Sequence, residues 1–197
     1  MNKAKENVYK VFLKLIKNYY MRYSFLFFFF FVGAFGIFWW YGKAPIWDSD
    51  AISQHYPNFI YVRSWILDMI NDFTESGNFE MTCWDSTIGL GQDVFNVVSF
   101  RPSTLLAVFF TKSSIVTYIW ITIAVRIYLV GLVFSKYCFF MKVPQYPTLV
   151  ATMLYSFGSY VLVYGTKHYM FVDMLLFLPL LCLGLEKIIQ KNKAGTF

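Results

Sequence analysis

Two carboxylates, an amide and an imidazole fall within eight residues in the stretch Trp47-Asp48-Ser49-Asp50-Ala51-Ile52-Ser53-Gln54-His55-Tyr56-Pro57. A carboxylate in such company can take a proton from a sugar hydroxyl or help hold a divalent cation. Asp50 is the first candidate for that role and Asp48 the second, with Gln54 and His55 placed to position a donor or an acceptor. A structural reading stands beside it: Asp50 caps a following helix and its neighbours are solvated.

Other groups have a weaker claim to chemistry. Gly89-x-Gly91-x-Asp93 has the look of a phosphate loop but lacks the strand before it and the helix after it. Close backbone packing explains it better, with Asp85 and Asp93 as further ligands or solvated charges. The surrounding segment, Trp84 to Asp93, is glycine-punctuated and expected to be irregular. Arg126 interrupts an apolar run, where a cation costs roughly 2.5–3.5 kcal/mol on insertion scales and normally has a partner. That partner is either a lipid phosphate or a carboxylate such as Asp173. Lys167 and His168 lie close to Asp173 in sequence and are candidates for the same cavity; His168 taken alone reads as an interfacial histidine. Cys83, Cys138 and Cys182 show neither disulfide spacing nor a Cys/His zinc pattern.

The elements that must carry these groups are membrane spans. Hydrophobic residues make up 58% of the 197-residue chain and charged residues 14%, against roughly 25% charge in soluble domains. Tyr23 to Gly42 is twenty residues without a charge, the length a helix needs to cross about 30 Å of hydrocarbon. It is too long for a signal-peptide core, and no small-residue cleavage site follows it. Residues 1–22 carry a charge balance of +5 and residues 43–101 one of −5. By the positive-inside rule the N-terminus is cytoplasmic and the acidic loop extracytoplasmic. Lys10, Lys14 and Lys17 alternate with apolar residues, as in a juxtamembrane helix on anionic lipid rather than a nucleic-acid site.

The expected order is a basic N-terminus (1–22), a first span (23–42) and an extracytoplasmic loop (43–111). Spans at 113–135, 143–166 and 169–185 follow, then a cytoplasmic tail (186–197). Within the loop, Phe59, Val62, Ile66, Met69 and Phe73 step by three or four and predict an amphipathic helix over 50–72 lying along the membrane surface. Pro102 to Thr111 is apolar but too short to cross, so an interfacial or re-entrant helix is expected there. The fold class is thus an all-α integral membrane protein with about four transmembrane helices and a long first loop.

The ordered series Asp50-x-x-x-Gln54-His55-Tyr56-Pro57, Trp84-Asp85-x-x-Ile88-Gly89-x-Gly91-x-Asp93 and Arg126-x-Tyr128-x-x-Gly131 resembles the N-terminal part of the YfhO-like bacterial membrane proteins. Tyr155-Ser156-Phe157, His168, Leu178-Pro179-Leu180 and Gly184-x-Glu186-Lys187 continue the resemblance. That family looks like the multispan GT-C glycosyltransferases. The resemblance implies a protein of the bacterial plasma membrane that takes sugar from a polyprenyl-phosphate donor. The acceptor would be an extracytoplasmic cell-wall polymer such as teichoic acid. Asp50, with Asp48 behind it, would be the base, and Arg126, Lys167 or a divalent cation would meet the leaving phosphate. Membrane lipid is a further partner and nucleic acid is not. This chain has Arg101-Pro102 where relatives commonly have an acidic residue before the proline. Members are several times longer, so the chain is expected to be a fragment, a truncated product or one half of a split protein completed by a separate C-terminal chain. The rival readings are a transporter or lipid-handling subunit without catalysis, and an inactive remnant.

Overall fold

The computed structural model describes residues 18–46, 50–77, 79, 81–98 and 101–191. Asp48, the basic run 1–17 and residues 192–197 of the tail lie outside them. The chain forms two compact units, one of Met1–Pro45 with Ala124–Phe197 and one of Ile46–Ile123.

The first unit is built on long apolar helices. Helix α1, Tyr19–Trp40, starts four residues before the charge-free stretch because the Asn18 side chain accepts from the Tyr20 N–H at 2.9 Å, closing an exposed helix end. The chain then runs through the helix Ile115–Phe140, whose later part belongs to this unit. Two shorter helices follow, Gln145–Ser156 and Ser159–Lys167, then Val172–Lys191. Among the described residues, three stretches are long and apolar enough to cross a membrane: Tyr19–Trp40, Lys112–Phe140 and Gln145–Lys167.

The last of these differs from the expected continuous span at 143–166. It breaks at Phe157-Gly158, where Gly158 turns extended. A side chain on Gly158 would press on the Leu154 carbonyl oxygen at 3.2 Å. Val172–Lys191 is a regular helix, but its uncharged core, Met174 to Leu185, is twelve residues long. That is about 18 Å of helix, short of a crossing on its own. Pro179 sits inside it and cannot donate to the Leu175 carbonyl one turn back. The Tyr155 hydroxyl donates to that carbonyl instead, at 3.0 Å.

Helix contacts in this unit are aromatic and hydroxyl-rich. Phe27 lies against Phe157 with ring centroids 5.5 Å apart, and Phe134 stacks on Tyr155 at 4.3 Å. Tyr19, Ser135 and Thr152, from three helices, share hydrogen bonds of 2.6 to 3.3 Å. Tyr23 donates to the Tyr128 carbonyl at 2.6 Å. Gly131 lets this happen, since a methyl there would run into the Tyr23 hydroxyl and sit 2.6 Å from Ser156 Oγ. In lipid, close packing and such bonds replace the hydrophobic effect as the force between helices.

The second unit holds the connecting segment. Ala51–His55 is one turn of π-helix leading into α2, Tyr56–Ser76, which ends on Gly77 in the left-handed conformation. Pro57 occupies the first turn of α2, where no N–H is needed. The buried face is Phe59, Val62 and Trp65; each such side chain contributes about 1.5–3 kcal/mol by leaving water. Val94 and Leu105 cover it, and Tyr118 meets Phe59 edge-on at 5.4 Å. Expectation and structure part here: Trp65 is in the core, Ile66 and Met69 flank it, and Phe73 is exposed. The predicted short apolar helix is present as Pro102–Leu105 continued by a 3-10 turn, Leu106–Phe109.

The segment expected to be irregular is a small antiparallel hairpin, Trp84–Asp85 against Gln92–Asp93. Gly91 is there because φ is +102° and any Cβ would lie 3.0 Å from the Trp84 ring. Its glycines serve a turn, and the phosphate-loop likeness ends there.

Candidate functional site

Asp50 sits where the π-turn begins, with helical φ and ψ and no side-chain cap bond. The capping reading is therefore not realised. Instead Asp50 Oδ1 accepts from Gln54 Nε2 at 3.2 Å, the pairing expected of residues four apart on a helix. Asp50 is half-exposed and Gln54 exposed, so both groups are accessible. His55, next in sequence, is 7% exposed and lies on the face of Phe59 and Val62. The structure joins Asp50 to Gln54 and turns His55 into the packed side of the segment.

Two other carboxylates of this unit, Asp85 and Asp93, hold backbone. Asp93 Oδ1 accepts from the Phe95 N–H at 2.9 Å, opening the short helix Val94–Val98. Asp85 Oδ1 accepts from both the N–H and the hydroxyl of Thr87, at 2.7 and 2.6 Å, and its Oδ2 accepts from Tyr61 at 2.8 Å. The Thr87 bonds come first among the causes that hold the Asp85 carboxyl below the ordinary carboxylate range. Burial first, and the Asp85 carboxylate second, push the Tyr61 phenol up to about 12. The composition of the sequence did not single out this Tyr61–Asp85–Thr87 network. The Asp-x-Thr spacing was the only signal, the usual one for a side chain folding back on its own turn.

In the first unit Arg126 Nε donates to Asp173 Oδ1 at 2.8 Å, and its guanidinium lies 4.7 Å from the Tyr169 ring centroid. Of the two partners considered for Arg126, the carboxylate is the one in contact. His168 stacks on Phe171 at 4.7 Å, and its N–H closes the preceding helix on the Tyr164 carbonyl at 2.8 Å. Lys167 ends that helix, half-buried. Among the described residues no group of three or more His, Cys, Asp or Glu side chains converges to hold a metal. Cys83, Cys138 and Cys182 are free thiols.

Long apolar helices, with an ion pair joining two of them at Arg126 and Asp173, define an α-helical membrane protein. Comparison with models of protein families matches residues 24–197 to the bacterial membrane protein YfhO family. The chain belongs to that family. Comparisons with curated proteins and with solved structures return no match.

Proposed function

We propose that this protein acts as a membrane glycosyltransferase of the YfhO family, moving a sugar from a polyprenyl phosphate to an extracytoplasmic cell-wall polymer. Asp50 is its base. The carboxylate takes the proton of the acceptor hydroxyl as that oxygen bonds to the anomeric carbon. The bond from that carbon to the phosphate oxygen breaks, and the polyprenyl phosphate leaves with the electron pair. Gln54 holds Asp50 in one orientation. The observation that carries this reading is the contrast among carboxylates: Asp85 and Asp93 fix local backbone, whereas Asp50 is accessible, does not cap its helix and is oriented by a neighbouring amide. Membership of the family supplies the setting. In this reading the basic N-terminus faces the cytoplasm, and Val172–Lys191 makes a fourth crossing, its short uncharged core extended by the pairing of Asp173 with Arg126.

The test is the sugar content of wall polymers in a host lacking the gene, complemented with the intact gene or with Asp50→Asn. Loss of a general base costs on the order of 10²–10⁴ in rate. Asp50→Asn should therefore leave sugar at the level of the deletion strain, with protein amount and thermal stability unchanged. Sugar unaltered by deletion would remove the proposal.

A further inference from the structure

An open apolar groove of about 600 Å³ runs along α1 in the spanning unit. Leu26, Phe30 and Gly33 form one wall, and Leu149, Met153 and Phe157 the other. Arg22 stands at one end of it. It precedes Leu26 by four residues, as Gln145 and Tyr146 precede Leu149 and Val150, so all three lie one turn beyond the groove on the same helix faces. Arg22 Nη2 donates to Gln145 Oε1 at 2.6 Å, and its guanidinium lies 5.0 Å from the Tyr146 ring centroid.

We infer that this groove binds an acyl chain of an anionic phospholipid whose headgroup phosphate sits on Arg22. Length decides the occupant. From Arg22 to Ala34 is about 18 Å of helix, close to half of the ~30 Å hydrocarbon core. A groove one leaflet deep, with a cation at the headgroup end, matches a lipid of that leaflet; a partner's spanning helix needs the whole thickness. Charge decides the headgroup. A guanidinium offers a planar fork to phosphate oxygens, and a choline-bearing lipid adds a cation that a glycerol headgroup does not.

The purified full chain in mixed micelles is titrated with phosphatidylglycerol or phosphatidylcholine of identical acyl chains, and bound lipid is counted by native mass spectrometry. Phosphatidylglycerol should be retained roughly fivefold more strongly, the effect of one interfacial cation, and Arg22→Ala should bring it to the phosphatidylcholine level. Gly33→Leu is the second variant. A Cβ at Gly33 meets nothing within 4 Å, so the helix accepts the change while the side chain fills the groove, and both lipids should be lost. Equal retention of the two lipids by the unaltered chain overturns the proposal. So does a Gly33→Leu variant that keeps its lipid but loses self-association, which would make the groove a contact between copies.

Discussion

The hydroxyls of Tyr19, Ser135 and Thr152 bond one another across three helices of the spanning unit. Tyr23 and Tyr155 there also reach carbonyls, but across to a neighbouring helix; in the connecting segment Arg63, Trp65 and Tyr118 reach carbonyls of Phe110, Thr82 and Ser103, in short helices and loops. The difference follows from the backbone. Long helices satisfy their own N–H and C=O groups, as hydrocarbon demands, so polar side chains there are left to set which helix faces meet. Short helices and loops leave carbonyls without ladder partners, and long side chains are used up covering them. Asp85 and Asp93 follow that pattern, whereas Asp50 is accessible and bonds the Gln54 amide.

The comparison predicts that single substitutions in the spanning unit break pairs, and that double substitutions restore them. The largest effect should come from Asp173→Ala, which uncovers the Arg126 guanidinium. We expect a loss of about 3 kcal/mol, the lower end for orphaning a buried charge, because the Asp173 side chain is itself 30% exposed. Arg126→Leu combined with Asp173→Leu should recover most of it. Chemical denaturation of the micelle-bound protein reads both. A cost below about 1 kcal/mol, the value of an exposed pair, would return Arg126 to the role of a phosphate ligand.

Tyr155→Phe comes next. It removes the donor that covers the Leu175 carbonyl opposite Pro179, and an uncovered buried acceptor costs about 1–3 kcal/mol. In a Pro179→Ala background an N–H is restored at that position and the helix closes on itself. The same Tyr155→Phe change should there cost only a few tenths of that. Equal costs in both backgrounds would mean that the hydroxyl serves packing and not the proline gap.

How far these features could be read in the sequence depends on how local their causes are. The first helix and the amphipathic helix rest on charge and periodicity, and each was legible to within a few residues, whereas Arg126 announced only that it needs a partner and left a lipid phosphate and Asp173 equally open. Asp50 and Gln54 were singled out in the sequence, but as a base or cap and a substrate-positioning amide; their bond to one another was not read. The break at Phe157-Gly158 was not legible, because apolar residues continue through it and hydropathy records no interruption. Neither was the burial of His55, which is set by Phe59 one turn on and by the chain that packs there. Trp65 displaced the outer end of the predicted stripe because its indole N–H found the Thr82 carbonyl at 3.2 Å. The hairpin strands are two residues long, too short for an alternating pattern, and only their glycine spacing announced a turn.

Smallest, and sharpest for the comparison, is the pH response of Tyr61 and Asp85, where a side-chain pair and a backbone bond share one carboxylate through its two oxygens. Asp85 has a lowered value in the folded protein. Its stabilising contribution is thus complete above the unfolded carboxylate value of about 3.9 and is lost as pH falls through the folded one. Tyr61 has a raised value, so its contribution is complete below the unfolded phenol value of about 10 and is lost as pH rises through about 12. Phenolate absorbance of the protein, less that of Tyr61→Phe, isolates this one titration among the tyrosines. Asp85→Asn should lower its midpoint but leave it above the ordinary phenol value, because burial is the larger cause and the carboxylate the smaller. Thr87→Ala should leave the Tyr61 midpoint high while raising the pH at which the hairpin is lost in acid, since the hydroxyl bond of Thr87 is the first cause of the Asp85 shift. If Asp85→Asn left the midpoint where it was, the carboxylate would belong to its turn alone, and the connecting segment would tie its acids to backbone more completely than the 2.8 Å Tyr61 contact implies.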